Sequence, residues 1–304
     1  MAALPGWDAE DHVAAFAAVR GACAESVSLS AASICYAVRA RGTPGEVEAK
    51  AFLERHFRAE PVDGEGRLTG YFAPIYEARD AAGGDFNAPV RPPPSDPAAA
   101  PDRADLDHAP APDALAWMRP EDLFFLQIQG SGVLVFPDGE HRRAVFAASN
   151  GRPYVAIGRL MIGQGLLAPA AASADAEHEW LASHRGSAAE AMMDLDPRYI
   201  FFRLEPDDGA EPRGAAGAPL PPGRGVAVDP AAHPYFELLW IDADSPALTG
   251  ARPTYRRLVV ALDTGGAIKG PVRADLYLGR GPAAGAEAAR VSHRLRLHRI
   301  VPAP

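Results

Sequence analysis

The sequence is poor in features that mark several common protein classes. It has two cysteines, Cys23 and Cys35, without C-x-x-C spacing, so a structural zinc site is not indicated. They permit one disulfide in an oxidising compartment and equally permit two buried thiols. No apolar run approaches the roughly 20 residues of a transmembrane helix. The net charge of −9 argues against nucleic acid or an anionic membrane as the main partner, because both need basic patches.

The motifs of several enzyme classes are also missing. Ile268-Lys269-Gly270 lacks the glycine spacing and the Ser or Thr of a P-loop. Gly279-Arg280-Gly281 misses the dinucleotide-binding pattern and lies in no βαβ unit. His178 and His184 are too far apart for H-E-x-x-H, and Gly130-Ser131-Gly132 is not G-x-S-x-G. We therefore expect neither a cofactor nor a metal ion.

What the chain does contain favours a β-rich protein with long loops. Its 304 residues include 30 prolines and 29 glycines, interspersed with short apolar runs. This length suits one large domain or two medium ones. The N-terminus has no basic start, and Asp8, Glu10 and Asp11 interrupt any apolar core, so it is not a signal peptide. We expect an export segment to have been removed from this chain.

Apolar periodicity predicts three helices, over Asp8–Glu25 with Asp8 as N-cap, over Glu46–Arg58 and over Ala176–Met193. The segment Pro89–Pro112, rich in Pro, Ala and Asp, is predicted to be a long exposed loop.

The segment Leu123–Phe136 is predicted to form two strands around a Gly-Ser-Gly bend. Gln127 and Gln129 would then project to the same strand face. A solvated polar face is the simpler interpretation of such a pair.

The stretch Leu258–Gly281 is the part of the chain most typical of an active site. An apolar run ends at Asp263, the pair Gly265-Gly266 predicts a turn, and a second strand begins at Asp275. Two carboxylates would flank a glycine-lined gap, which suits a substrate close to the backbone and an acid with a raised pKa. An Asp beside such a turn is more often a cap than a catalyst, so spacing alone leaves both interpretations open.

The run ALDTGGAIKG with the following ADLY resembles the signature of the MltA family, the membrane-bound lytic murein transglycosylases A. This signature belongs to the wider 3D domain, named for three aspartates, here Asp229, Asp263 and Asp275. Further similar segments are LTGYFAP, QIQGSG and YVAIGRLMI, so the resemblance covers nearly the whole chain. The sequence departs from the family where His233–Phe236 replaces IPxGT, and it has one extra residue between Gly270 and Asp275.

The resemblance implies a mainly β fold with two domains. A double-psi β-barrel domain with N-terminal helices would comprise residues 1–73 and 213–304. A second β-rich domain, residues 74–212, would be inserted into it, with the substrate groove between the two.

The resemblance also implies a lytic transglycosylase that cleaves the β-1,4 bond between N-acetylmuramic acid and N-acetylglucosamine in peptidoglycan and forms 1,6-anhydromuramic acid. Asp275 would be the single acid and base, with Asp263 as its partner. The implied substrate-binding residues are Asp229, Thr69, Gly70, Tyr71, Gln127, Gln129, Gly130, Ser131, Tyr154, Gly265, Gly266 and Lys269.

The expected partners are peptidoglycan glycan strands and other cell-wall enzymes. We expect a monomer in the periplasm, associated with the outer membrane. Two other functions stay open: a non-catalytic peptidoglycan-binding module, and a glycan hydrolase of the double-psi barrel type, which would use Asp263 or Asp229 as a second carboxylate with a water.

Overall fold

The computed structural model describes residues 1–26, 33–169, 173–246, 248–251 and 254–303. The chain forms two compact units. Unit 1 consists of Met1–Phe72, Arg213–Gly279 and Ala286–Pro304, and unit 2 consists of Ala73–Pro212 and Arg280–Gly285.

Among the described residues, helices and strands alternate to give a mixed α/β chain. The strands are β1 (Phe57–Ala73), β2 (Ile75–Glu77), β3 (Ala88–Val90), β4 (Ala116–Met118), β5 (Ser131–Val135), β6 (His141–Ser149), β7 (Ile200–Pro206), β8 (Gly225–Ala227), β9 (Leu238–Ala243), β10 (Tyr255–Asp263), β11 (Arg273–Arg280) and β12 (Ser292–Pro302). The helices are α1 (His12–Glu25), α2 (Ser33–Arg41), α3 (Glu46–His56), α4 (Arg103–His108), α5 (Pro120–Gln129), α6 (Ile157–Gly163), α7 (Ala174–Ser183), α8 (Ser187–Met193) and α9 (Gly281–Ala288). None of the helices in these ranges is long and apolar enough to cross a bilayer.

Six strands of unit 1 close into a barrel in the order β1-β11-β8-β10-β9-β12. The pair β8 and β10 is parallel, whereas β12 runs antiparallel to both β1 and β9. Alternate residues of the strands, among them Leu68, Val226, Ala261, Leu276 and Leu297, fill the interior with apolar side chains. The predicted barrel and N-terminal helices are confirmed.

Helix α1 begins four residues later than predicted. Asp11 is its N-cap and accepts a hydrogen bond from the backbone N of Ala14 at 2.9 Å. Asp8 instead lies in the 3-10 turn Trp7–Ala9 and forms an ion pair with Lys50 at 2.5 Å. The predicted cap at Asp8 was therefore wrong, because the chain turns once before the helix starts.

A disulfide between Cys23 of α1 and Cys35 of α2 decides the question that the sequence left open. Both residues are buried. The bond links α1 to α2 across 12 positions of the chain.

The N-terminal segment is tied to the barrel by a buried ion pair. Glu10 and Arg224 are each 7% exposed, and they make two parallel hydrogen bonds of 2.9 and 3.0 Å. Both side chains also bind the backbone of Leu258 in β10: Glu10 accepts from its N at 2.7 Å, and Arg224 donates to its O at 2.9 Å. Each charge is thus compensated and hydrogen-bonded, as buried charges require.

Unit 2 has a four-stranded sheet in the order β2-β5-β6-β7 and a two-stranded sheet of β3 and β4. Helix α5 packs against the apolar core formed by residues of these two sheets, through Leu123 and Leu126. The prediction of an inserted β-rich domain is confirmed, and this unit also contains helices.

Helix α5 occupies a segment that was predicted to be a strand. Pro120 at its first turn and Glu121 and Asp122 beside it favour a helix start, and Gly130 ends it with φ 79°. Short apolar runs such as this one do not distinguish a strand from a buried helix. Because Gln127 and Gln129 are two helical positions apart, about 200° around the axis, they do not share a face.

Two further predictions in unit 2 need correction. The segment predicted as one exposed loop, Pro89–Pro112, contains the 3-10 turn Pro97–Ala99 and helix α4. Buried Arg91 organises it by donating to backbone carbonyls, including that of Leu106 at 2.7 Å. The helix predicted over Ala176–Met193 is two helices, α7 and α8, which separate at Gly186 with φ 98°.

We predict that Glu10→Gln lowers the free energy of unfolding by about 3 kcal/mol, because it leaves the buried Arg224 without its counter-charge. Urea denaturation followed by tryptophan fluorescence measures this change. Glu65→Gln is the control, since Glu65 is paired with Arg294 and Arg296 at the surface, where ion pairs contribute little. Equal effects of the two variants would contradict a structural role of the buried pair.

Candidate active site

Three neighbouring barrel strands place two aspartates in one row. Ala227 of β8 is the register partner of Asp263 in β10 and also of Asp275 in β11. Since β8 lies between those two strands, the Cα atoms of the aspartates are two strand spacings, roughly 10 Å, apart. Residues paired in this way project from the same face of a sheet. Ala227, which lies between them on β8, is buried and carries only a methyl side chain.

A β-bulge in β10 places Asp263 on the outer face of the barrel. Ala261 pairs with Val226, and both belong to the barrel interior. Strict alternation would also direct Asp263 inward. However, Asp263 pairs with Ala227, only one residue further along β8, because the register shifts between Ala261 and Asp263. The bulge thus brings Asp263 to the face that carries Asp275.

Asp275 is half-buried and is held by a residue of β1. The hydroxyl of Thr69 donates to its Oδ1 at 2.5 Å. Burial raises the pKa of Asp275 to about 6, although the Thr69 hydrogen bond and the nearby Arg273 oppose this shift. The charge of Asp263 adds to the rise as the smallest of these causes. Asp275 can therefore hold a proton at a pH where an ordinary aspartate is ionised.

Asp263 is held by three hydrogen-bond donors. Its Oδ2 accepts from the hydroxyl of Tyr71 at 2.8 Å, and its Oδ1 accepts from the backbone N of Ala215 and of Thr264, both at 2.9 Å. Burial raises the pKa of Asp263 in spite of these bonds, and the pKa of Tyr71 is raised well above its usual value, mainly by burial. Tyr71 also packs against Tyr277, with ring centroids 5.3 Å apart.

Asp229 anchors the loop between β10 and β11. Its Oδ2 accepts from the backbone N of Gly270 at 2.8 Å, and its Oδ1 accepts from Ala231 N at 3.1 Å. These bonds lower the pKa of Asp229, with a smaller contribution from the exposed Lys269. The turn predicted at Gly265-Gly266 is present, with the backbone N of Ile268 donating to the carbonyl of Gly265 at 3.0 Å. The left-handed backbone of this loop lies at Gly270, with φ 97°.

His233 supports the same loop from the position where the chain departs from the family pattern. Its ring is buried, with Nδ1 at 2.5 Å from Glu237 Oε2 and Nε2 at 2.7 Å from the carbonyl of Pro271. Burial lowers the pKa of His233, but the bonds to Glu237 and Pro271 outweigh it, so the net shift is upward. Phe236, at the end of the segment that departs from the family pattern, has φ 69°.

Gly70, a predicted substrate contact, has a packing role in unit 1. A Cβ at this position would lie 2.9 Å from Leu278 Cδ1 and 3.2 Å from Ala288 Cα. The close approach of these neighbours explains the glycine without a ligand.

The other predicted binding residues lie in unit 2. Gln127 is buried and donates to the carbonyl of Ile200 at 3.2 Å, which explains it as a core residue. Gln129, Gly130 and Ser131 are half-buried where α5 ends and β5 begins.

Tyr154 is half-buried in the extended segment before α6, and burial raises its pKa to about 12. For all of these unit 2 residues, a role in substrate binding stays a prediction.

Arg273, which lies two positions before Asp275 on β11, was not predicted from the sequence. Residues two apart on a strand share a face, and this was the signal that could have found it. It donates from Nη2 to the hydroxyl of Thr69 at 2.9 Å. The outer-face site therefore consists of Thr69, Tyr71, Asp263, Arg273 and Asp275. Within the described ranges, no group of three or more His, Cys, Asp or Glu residues is suited to hold a metal ion.

Comparison with known proteins supplies independent information about this arrangement. Residues 67–203 match the model of the MltA specific insert domain, and residues 224–301 match that of the 3D domain. The chain is 32% identical to the membrane-bound lytic murein transglycosylase A of Escherichia coli K12 over 79% of its own length and 67% of the relative's. The chain belongs to the MltA family.

Another relative in the MltA family is the Vibrio cholerae protein of the same description, 32% identical over 77% of this chain. The chain spans about two thirds of the length of these curated relatives, 64% for the Vibrio protein. The resemblance of the sequence to this family is thus confirmed.

Solved MltA structures share the fold over nearly the whole chain. The membrane-bound lytic murein transglycosylase of Agrobacterium tumefaciens is 27% identical with a TM-score of 0.86, covering 99% of this chain and 96% of that one. Escherichia coli MltA with bound chitohexaose is 27% identical with a TM-score of 0.80, covering 96% of this chain and 90% of that one.

We predict that His233→Gln destabilises the protein more at low pH than at high pH. A histidine with a raised pKa contributes stability that is complete below its unfolded value, near 6.5, and is lost as pH rises through the folded pKa. The difference in unfolding free energy between wild type and variant should therefore be about 1–2 kcal/mol at acidic pH and shrink above neutrality. Urea titrations at several pH values measure it.

The control for this prediction is His293→Gln, since the His293 ring contacts the carbonyl of Arg290 rather than a carboxylate. A stability difference at His233 that stays constant with pH would contradict the proposed charge on this ring.

Proposed function

We propose that the protein is a lytic murein transglycosylase that cleaves the β-1,4 bond between N-acetylmuramic acid and N-acetylglucosamine. The observation that carries this proposal is one half-buried carboxyl, Asp275, with a pKa of about 6, beside a second carboxyl on the same barrel face. Membership of the MltA family supports it, and so does the chitohexaose bound to the Escherichia coli relative.

In the proposed reaction, Asp275 first donates its proton to the glycosidic oxygen while the bond from that oxygen to C1 breaks. The 6-hydroxyl of the same N-acetylmuramic acid then attacks C1, and Asp275 takes its proton. The new bond from C1 to O6 closes the 1,6-anhydro ring, so no water is consumed. Because the nucleophile is part of the substrate, the reaction gains the advantage of an intramolecular attack.

Asp263 is proposed to stabilise the positive charge that develops on the sugar ring and to keep the pKa of Asp275 raised. Its oxygens already accept three hydrogen bonds, from Tyr71, Ala215 and Thr264. This occupancy favours a mechanism with a single acid and base over a hydrolase, which needs a second carboxylate to activate water or to attack carbon.

The proposed partners are peptidoglycan glycan strands, with other cell-wall enzymes as further partners of a monomeric protein. The curated relatives are named membrane-bound. On this basis we propose a periplasmic location associated with the outer membrane. We also propose that the barrel with its N-terminal helices and the inserted segment 74–212 are the two domains.

We predict that purified peptidoglycan treated with the protein yields muropeptides lighter by one water than reducing-end products, as measured by mass spectrometry. Asp275→Asn should lower their rate of formation at least about 10²-fold, because the acid and base is lost. Binding to insoluble peptidoglycan in a pull-down assay should be retained. Asp138→Asn is the matched control, since Asp138 is exposed in the turn after β5 and lies outside the site.

Reducing-end products would identify a hydrolase. Binding without any product would identify a binding module. Near wild-type activity of Asp275→Asn would refute the assignment of the acid.

We also predict that Asp263→Asn moves the alkaline limb of the rate profile to lower pH. The negative charge of Asp263 raises the pKa of Asp275, so its removal lowers that pKa, and the reactive protonated form is lost earlier as pH rises. The rate of anhydromuropeptide release between pH 4 and 9 measures the shift. A lower rate with an unmoved limb would count against electrostatic coupling of the two residues.

A further inference from the structure

Arg273 is held in one orientation by its neighbours in unit 1. Its Nη1 donates to the backbone carbonyl of Ala274 at 2.6 Å and to that of Arg67 at 3.4 Å. Its Nη2 donates to Oγ1 of Thr69 at 2.9 Å. The side chain is half-buried, so its planar guanidinium has little freedom to turn.

The contact with Arg273 limits what the Thr69 hydroxyl can do. A hydroxyl has one proton to donate and two lone pairs that accept. Because guanidinium only donates, it occupies a lone pair of Oγ1, and the hydroxyl proton must point elsewhere. Within the described part of the chain, the acceptor for that proton is Oδ1 of Asp275, at 2.5 Å.

The direction of this bond has a consequence for Asp275. A carboxyl oxygen that accepts a short hydrogen bond is the less favourable place for a proton of its own. The proton that a general acid transfers must then be on the other oxygen, Oδ2.

We propose that Arg273 is a positioning residue that fixes the direction of the Thr69 hydroxyl and thereby assigns the transferable proton to Oδ2 of Asp275. This inference rests on the proposed function, which makes Asp275 the acid. Arg273 acts through Thr69 and by its charge, without touching the reacting atoms.

The charged and titratable groups around Asp275 give the sign of the expected effect. Arg273, from the same strand, favours the ionised carboxylate, and Asp263, from β10, favours the protonated one. Tyr71, from β1, has a pKa raised well above its usual value and is neutral. Arg67 lies close enough to lower the pKa of Arg273, where burial is the larger cause, and the guanidinium stays charged near neutral pH. Loss of Arg273 should therefore raise the pKa of Asp275.

The test titrates the Asp275 carboxyl directly in the protein without substrate. Carboxyl carbons of aspartate are labelled with carbon-13, and the Asp275 signal is the one that Asp275→Asn removes. Arg273→Met should raise its pKa by about 1 pH unit, because an opposite charge at short range is lost. Arg273→Lys should restore part of the shift. Arg294→Met, which removes the same charge from an exposed ion pair with Glu65, should leave the pKa unchanged.

A double-variant cycle separates positioning from charge. If Arg273 orients the hydroxyl, Arg273→Met should shift the pKa of Asp275 less in a Thr69→Val background, where no hydroxyl remains to orient. Additive shifts would overturn the positioning role. A neutron structure below the pKa of Asp275 should show deuterium on Oδ2, and deuterium on Oδ1 would overturn the assignment.

An activity assay tests the proposed function separately from the pKa measurement. With peptidoglycan, Arg273→Met should move the alkaline limb of anhydromuropeptide release to higher pH, by the amount of the carboxyl shift. An unmoved Asp275 pKa in Arg273→Met overturns the inference whatever the activity. A moved pKa in a protein that forms no anhydro product leaves the inference intact and overturns the proposed function.

Discussion

The hydrogen bond between Thr69 and Asp275 depends on closure of the barrel. The two residues are 206 positions apart, and all of unit 2 apart from Arg280–Gly285 lies between them in the chain. They meet because β1 neighbours β11 on one side and β12 on the other, so no strand edge is left open. The raised pKa of Asp275 follows from the same closure, because burial is its largest cause. The raised pKa of Asp275 is thus a property of the closed sheet more than of any local motif.

The bulge in β10 is the second structural feature on which the site depends. Side chains along a strand alternate between two faces, and a shift of one position reverses all of them. In β10 the shift occurs after Ala261, so the strand fills the interior with Val259 and Ala261 and still delivers Asp263 to the outside. One inserted residue thereby allows the same strand to fill the barrel interior and to carry a carboxyl group on its outer face. Tyr71 and the backbone of Ala215 then hold the carboxyl where the bulge has placed it.

Much of this site could be predicted from the sequence. The features that could not be predicted have physical explanations. The apolar run before Asp263 predicted β10, the segment from Asp275 predicted β11, and the family resemblance drew attention to the two aspartates. Helix α5 was predicted to be a strand because a short apolar run fits a buried helix as well as a strand. The bulge at Asp263 and the hydrogen bond from Thr69 to Asp275 depend on pairing between distant strands, which no local pattern reports. His233 and Phe236 were noticed only as departures, although His233 holds the loop before β11.

The order of the strands along the chain has a consequence for when activity can first arise. The barrel needs β12, the last strand, to pair with β1, which precedes the entire insertion. A nascent chain that contains Thr69, Tyr71 and both aspartates but not yet β12 cannot close the barrel that carries them. Such contacts between distant parts of a chain form late in folding. The site residues are therefore held in their final geometry only after strands from the two parts of the chain that flank the insertion, β1 and β12, have paired.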